Sequence, residues 1–348
     1  MTAQKRRFKL NNEGTTAINC GKANAPSRSV NWNASGGWLA IATAMDVGVW
    51  AVEGSHSKEV FSISDNGAAV ERVRFHPTEA SLLCSASSNQ TVQLWDIRAG
   101  SSKNIGSCSL QSPCRDISWS PTDSNLFCVT EPDQVHIFDT RKLSSSSENK
   151  KSSKSTTKSV KTFSKFYPSY LEASIFSPNG QHLVMAVTSE KQGQLQFVND
   201  WKSNKSDPSN MVSVPAHTGP IYALTVSKDG KHLASGGADA VIGLWDTECR
   251  PITCTRVIAR CTKFTRSLAF SHDAQFVASS SEEEVDLAHV DDGSLVCKVP
   301  LSSKGGAGGA DEISFHPNNA HVLACARCNP DRNVPPVVVA RLSLTPAT

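Results

Sequence analysis

Seven times along this 348-residue chain an aromatic or β-branched residue is followed by a small or polar one and often by proline. The phrase reads Trp32-Asn33, Phe75-His76-Pro77, Trp119-Ser120-Pro121, Phe176-Ser177-Pro178, Val226-Ser227-Lys228, Phe270-Ser271-His272 and Phe315-His316-Pro317. Successive anchors lie 43, 44, 57, 50, 44 and 45 residues apart. A period of about 40–45 residues marks units of four short strands that cannot bury their apolar faces singly and must stack on their neighbours. Seven such units predict an all-β chain folded as one ring, a seven-bladed β-propeller.

Within a unit the pattern is constant. In the second, alternating residues run from Val70 to Phe75, a small-residue stretch covers Leu82 to Ala86, and Thr91-Val92-Gln93-Leu94-Trp95-Asp96 closes the unit. Period-two alternation bounded by Pro, Asn, Asp and Gly is a strand and hairpin signal. Closing pairs recur at Val49-Trp50, Phe138-Asp139, Val198-Asn199, Trp245-Asp246 and Val290-Asp291, which is the WD40 form of the repeat.

An open propeller would expose unpaired backbone on its first and last blades, so a strand within residues 6–20 is expected to close blade seven. The domain reading is therefore a basic N-terminal arm with the ring-closing strand over 1–27 and the propeller over 28–344. Residues 142–165 carry nine serines, seven lysines and one glutamate. Such a composition does not bury enough apolar surface to offset chain entropy, and a disordered insertion between blades three and four is expected there. Residues 1–9 contribute a charge of +4 and residues 142–165 a charge of +6, which leaves −7 on the remainder of a chain whose formal net charge is +3. The ring is acidic and its appendages are basic.

No run of about 18 apolar residues is present and the N-terminus is polar, so neither a membrane span nor a secretory leader is expected. Eleven cysteines, scattered through strand-like segments, read as small reduced core residues of an intracellular protein. Cys325-Ala326-Arg327-Cys328 lacks the second pair that a zinc site needs. The glycines of Gly305-Gly306-Ala307-Gly308-Gly309 precede a strand rather than a helix, against a dinucleotide loop. No nucleophile elbow, metalloprotease helix or phosphate loop is found, and the expectation is no catalytic residue, no metal, no cofactor and no small-molecule substrate.

Three groups of residues stand out. His217, Ser235, Asp239 and Trp245 have the spacing of a buried hydrogen-bond chain within blade five; the same residue types occur in a Ser-His-Asp triad, but the Gly-Gly-Ala-Asp turn favours the structural reading. Four residues before each anchor stand Arg28, Glu71, Arg115, Glu172, Tyr222, Arg266 and Asp311. This position points to one entrance of the ring in every blade, and a mixture of Arg, Tyr and acids suits a protein partner rather than a phosphate backbone. The rival reading is that these charges pair with one another around the rim. Lys5, Arg6 and Arg7, with Lys150, Lys151 and Lys154 in the insertion, are candidates for weak, non-specific RNA contact, and Lys5-Arg6-Arg7 also for nuclear import.

The stretches Gly236 to Asp246, Phe264 to Asp273, Ala278 to Glu283 and the blade-six strand Val285-Asp286-Leu287-Ala288-His289-Val290 resemble the THO subunit 3 family of WD40 proteins. The resemblance runs over about 28–344. Blade two adds Val73-Arg74-Phe75-His76-Pro77 and Gln93-Leu94-Trp95-Asp96-Ile97-Arg98. It implies a nuclear, non-enzymatic subunit of the THO/TREX transcription-export assembly that serves messenger RNA packaging and export. The implied partners are other THO subunits and, through them, a DEAD-box helicase and an RNA export adaptor, with no membrane. The chain departs from the family in its 142–165 insertion, in lacking Asp after Trp50 and around Gln196-Phe197-Val198. The alternatives are a WD40 adaptor of another nuclear complex, such as a chromatin reader or a ligase substrate receptor, and an RNA-binding platform working through the basic arms.

Overall fold

The computed structural model describes residues 7–9, 14–18, 26–64, 68–98, 103–143, 158–164, 169–189, 192–202, 211–247, 252–259, 263–299, 301, 308–327 and 335–345. They form seven four-stranded antiparallel sheets and one two-stranded ribbon, which is the expected seven-bladed propeller. The innermost strands of blades one to seven are Ser27–Trp32, Val70–Phe75, Asp116–Trp119, Tyr170–Phe176, Ile221–Val226, Ser267–Phe270 and Glu312–His316. Six blades are built from consecutive strands. In blade seven Asn319–Ala326 and Val337–Arg341 follow the inner strand, and the outermost place is taken by Thr15–Ile18. Thr15 pairs with Ala340 and Ile18 with Val337, so the N-terminal segment removes the open edge of the last blade.

The repeated anchor explains why the ring holds together. Seven apolar clusters of described residues occupy the seven seams between adjacent blades, and each anchor packs in the seam with the blade before it. Phe75 lies with Ala40, Val47 and Val49 of blade one, and Trp32 with Val322, Ala324 and Val339 of blade seven. Burying a side chain of this size stabilises by about 1.5–3 kcal/mol, and here the gain is repeated around the ring. Histidines of two anchors add a bond across the seam with the following blade: His76 Nε2 lies 2.6 Å from the Ser124 carbonyl of blade three, and His316 Nε2 lies 3.0 Å from the Gly36 carbonyl of blade one.

The lysine-rich insertion sits elsewhere than expected. Lys161–Phe163 is the outer strand of blade three, paired with Val135, His136 and Ile137 of Val135–Asp139. The run therefore joins the third and fourth strands of one blade rather than two blades, because an edge strand is specified by backbone pairing that a Lys- and Ser-rich composition conceals. Residues 144–157, on which the expectation of disorder chiefly fell, lie outside the described residues. Within 1–27 there is a second strand besides the ring-closing one: Arg7–Lys9 pairs with Ser343–Thr345. Among the described residues no helix is long and apolar enough to cross a membrane.

Candidate functional site at the ring mouth

The innermost strand of each blade faces a central cavity of about 460 Å³. Of the seven residues four positions before the anchors, Arg115, Glu172, Tyr222, Arg266 and Asp311 line it and Arg28 and Glu71 do not, and local backbone geometry explains how the seven are presented. In blades one, two, four and five the pairing slips by one residue at that position, between Ser27 and Ser29, Val70 and Arg72, Leu171 and Ala173, and Ile221 and Ala223. Arg28, Glu71, Glu172 and Tyr222 are thus the extra residues of β-bulges, a device that re-aims a side chain out of the ladder. In the other three blades the residue precedes the ladder, and the backbone N–H of Arg115, Arg266 and Asp311 donates to Thr130, Ser280 and Ala326.

The mouth charges pair with their neighbours around the rim. Arg28 of blade one meets Glu71 of blade two at 2.5 Å. Arg266 of blade six contacts Asp311 of blade seven and Glu282. The third pair is looser: Arg115 Nε stands 3.8 Å from Glu172 Oε2, with the Arg115 side chain 48% exposed. Burial raises the Glu172 carboxyl above its ordinary pKa, against the opposing pull of Arg115 and Arg72. Tyr222 lies edge-on to Phe264, ring centres 5.6 Å apart, while the Arg266 guanidinium sits 5.2 Å from the centre of the Phe264 ring. Tyr170 and Tyr222, on adjacent blades, are each 38% exposed.

One step further in lies a second set, three residues before each anchor: Ser29, Arg72, Asp116, Ala173, Ala223, Ser267 and Glu312. Inner strands present unpaired N–H groups to the channel, and polar members of this set satisfy them across the seam. The N–H of Val73 donates to Ser29 Oγ, that of Val30 to Glu312 Oε2 at 3.0 Å, and that of Ile313 to Ser267 Oγ. Arg74 joins the same wall, its guanidinium 3.1 Å from Asp116 Oδ1 and 2.5 Å from Glu312 Oε1. Burial works to lower the Arg74 pKa, but the two carboxylates outweigh it and raise it; the same burial lifts Asp116, whereas Arg74 and Arg72 hold Glu312 below its ordinary value. The opposite wall is small and apolar, with Ala173, Ile175, Ala223 and Ala269.

Anchor spacing alone missed Arg72, Arg74, Asp116 and Glu312. Their signal was a charge placed between apolar residues of an inner strand, as in Val70-Glu71-Arg72-Val73-Arg74-Phe75. Tyr170 and Phe264 stand off the four-residue offset and gave no signal of their own.

The four residues of blade five lie in one chain. His217 Nδ1 is 2.9 Å from Asp239 Oδ1, His217 Nε2 is 2.8 Å from Ser235 Oγ, and Trp245 Nε1 donates to the same Ser235 Oγ at 2.9 Å. Indole N–H only donates, so Ser235 accepts from Trp245 and gives its own proton to His217, whose Nδ1–H faces Asp239. Ser235 is 0% exposed, and its hydroxyl is taken up by His217 and Trp245. Blade two keeps part of the chain, with Trp95 Nε1 on Ser85 Oγ. In blade one Ile41 stands opposite Gly48, where the serine would be, and Trp50 Nε1 has no partner among the described residues.

Lys5, Arg6, Lys150, Lys151 and Lys154 lie outside the described residues; Arg7 is described only as backbone of the ribbon. Among the described residues no three His, Cys, Asp or Glu side chains gather as a metal site. Cys325 is buried and its thiol is pushed up to about 12 by burial, a core residue rather than a thiolate ligand.

Two stretches, residues 55–96 and 209–246, match the family model described as WD domain, G-beta repeat. The chain is 26% identical over 216 residues to WD repeat-containing protein AAC3 of Dictyostelium discoideum, across 62% of this chain and 41% of that protein. It is 24% identical over 281 residues to THO complex subunit 3 of Arabidopsis thaliana, across 78% of this chain and 79% of that protein. The chain thus spans about two fifths of the first relative and four fifths of the second. The β-propeller domain of Myceliophteria thermophila Cps50 (Swd1) has the same fold, with a TM-score of 0.70 at 17% identity over 97% of this chain and all of that one. The protein is a seven-bladed β-propeller in which two stretches match the WD domain, G-beta repeat model, and it has a distant likeness to THO complex subunit 3.

Proposed function

We propose that this protein is a non-enzymatic scaffold subunit of a nuclear THO/TREX complex, supporting messenger RNA packaging and export by docking other THO subunits at the ring mouth. The observation that carries the reading is the extent of the likeness to THO complex subunit 3: it covers 78% of this chain and 79% of that protein, so it spans most of the ring rather than single repeats. A sealed Ser235 and a mouth built of rim ion pairs and exposed tyrosines favour docking over catalysis. A DEAD-box helicase and an RNA export adaptor would be reached through those subunits. The likeness to AAC3 favours a second reading, a WD40 adaptor outside that complex.

The test is purification of the tagged chain from nuclear extract with nuclease treatment, followed by mass spectrometry, for wild type, Arg115→Glu and Arg266→Glu. THO subunits that survive nuclease and diminish in the variants support the reading. Their absence overturns the THO assignment, and recovery that depends on intact RNA moves the role to the basic arms.

A further inference from the structure

The charges of the channel are shared unequally among its arginines. Two carboxylates, Asp116 and Glu312, converge on Arg74 within ion-pair distance and act on Arg72 from further off, while Arg72 and Arg115 both act on Glu172. Among the described residues Arg72 makes no ion pair; its guanidinium donates to the Glu71 carbonyl at 2.9 Å. Arg115 approaches Glu172 only to 3.8 Å and is half exposed. Arg72 and Arg115 are therefore partly desolvated and incompletely paired, a costly arrangement that an incoming anion completes.

Beside these arginines the wall changes character. Tyr170 and Tyr222 are exposed at the rim, and beneath them the cavity is lined by Ala173, Ile175 and Ala223, where larger side chains would fill the space. A cavity of about 460 Å³ falls in the range of sites that enclose a ligand group rather than touch it.

Resting on the reading of the mouth as a docking surface, we infer that it receives an extended segment of a partner protein carrying an aspartate or glutamate next to an apolar residue. The carboxylate sits between Arg72 and Arg115, and the apolar side chain lies against Tyr170 and Tyr222 and enters the small-residue wall. Guanidinium groups match a carboxylate with paired donors, which gives direction as well as affinity. Glu172 competes for the same two arginines and sets the threshold that an incoming acid must overcome.

The test is selection of a random decapeptide phage library on the full chain, followed by fluorescence anisotropy of a selected peptide and its Glu→Gln counterpart. A consensus with an acid beside Phe, Leu or Met is expected, with the amide peptide bound about tenfold more weakly, as for the loss of a charged hydrogen bond. Arg115→Ala should erase that difference. Glu172→Gln should tighten the acidic peptide about threefold, a gain that damage to folding does not produce. Lys58→Ala, which removes a cation from the exposed outer strand of blade one, should change nothing. Peptides that bind regardless of the acid yet weaken in Tyr222→Ala would overturn this inference and leave the mouth as a docking surface. A library that yields no mouth-dependent peptide would overturn the inference, and survival of THO recovery in Arg115→Glu would then overturn the docking reading separately.

Discussion

The imidazole of His316 meets the indole of Trp32 edge-on, ring centres 5.0 Å apart, across the seam where blade seven joins blade one. The His316 Nε2 lies 3.0 Å from the Gly36 carbonyl and its Nδ1 accepts from the Asn318 N–H, so the neutral ring uses both nitrogens. Burial lowers the His316 pKa, with His272 and Arg341 acting in the same direction and the Gly36 bond against it. A histidine depressed in the native state takes up its proton more readily in the unfolded chain. The stability it contributes is present above the ordinary value of 6.5 and is lost as pH falls below it. Urea midpoints measured from pH 7.5 to 5 should fall for the wild type and fall less for His316→Gln; equal slopes would refute this.

Gly36 has φ of +81°, and a Cβ there would lie 2.2 Å from the His316 ring. Gly36→Ala combines a left-handed backbone with a clash at the closing seam, and should destabilise by at least about 1 kcal/mol. Thermal unfolding of Gly36→Ala beside Gly54→Ala separates the two contributions, since Gly54 shares the positive φ and has open space around its Cβ position.

Ser235→Ala leaves Trp245 Nε1 without an acceptor and His217 Nε2 without a donor, all inside blade five. A cost of about 1–3 kcal/mol is expected. His217→Ala should add little once Ser235 is gone, because the residues act as one network; a double-mutant cycle in denaturant with fully additive losses would refute the chain.

Arg74 holds two carboxylates, the buried Glu312 and the partly buried Asp116. Arg74→Met strands both, and a loss of about 3–5 kcal/mol is expected, largely recovered when Asp116→Asn and Glu312→Gln are added. If the triple variant is no more stable than the single one, the network owes its place to something other than mutual neutralisation.

Much of the architecture was readable because one residue per unit both marks the repeat and fills a seam: Phe75, Trp119 and their counterparts cannot be displaced without opening the ring. A fixed offset to the same anchors picked out seven residues, of which five line the cavity. What each mouth residue touches did not follow, since the meeting of Arg28 with Glu71 depends on two bulges and on the spacing between blades. The strand Lys161–Phe163 escaped for a related reason, as three residues at a sheet edge are held by backbone hydrogen bonds to Val135–Asp139 and need no apolar pattern. The inner set of Arg72, Asp116 and Glu312 was hidden because charges within strands ordinarily mark a solvated face.

Thr15–Ile18 completes a blade whose other three strands begin at Glu312, and that order has a consequence for biosynthesis. At roughly 5–20 residues per second, this early strand waits on the order of tens of seconds on the ribosome before Val337–Arg341 emerges to pair with it. Through that interval the nascent chain is an open arc with both terminal blades unsealed, so the protein depends on whatever shields those edges before translation ends.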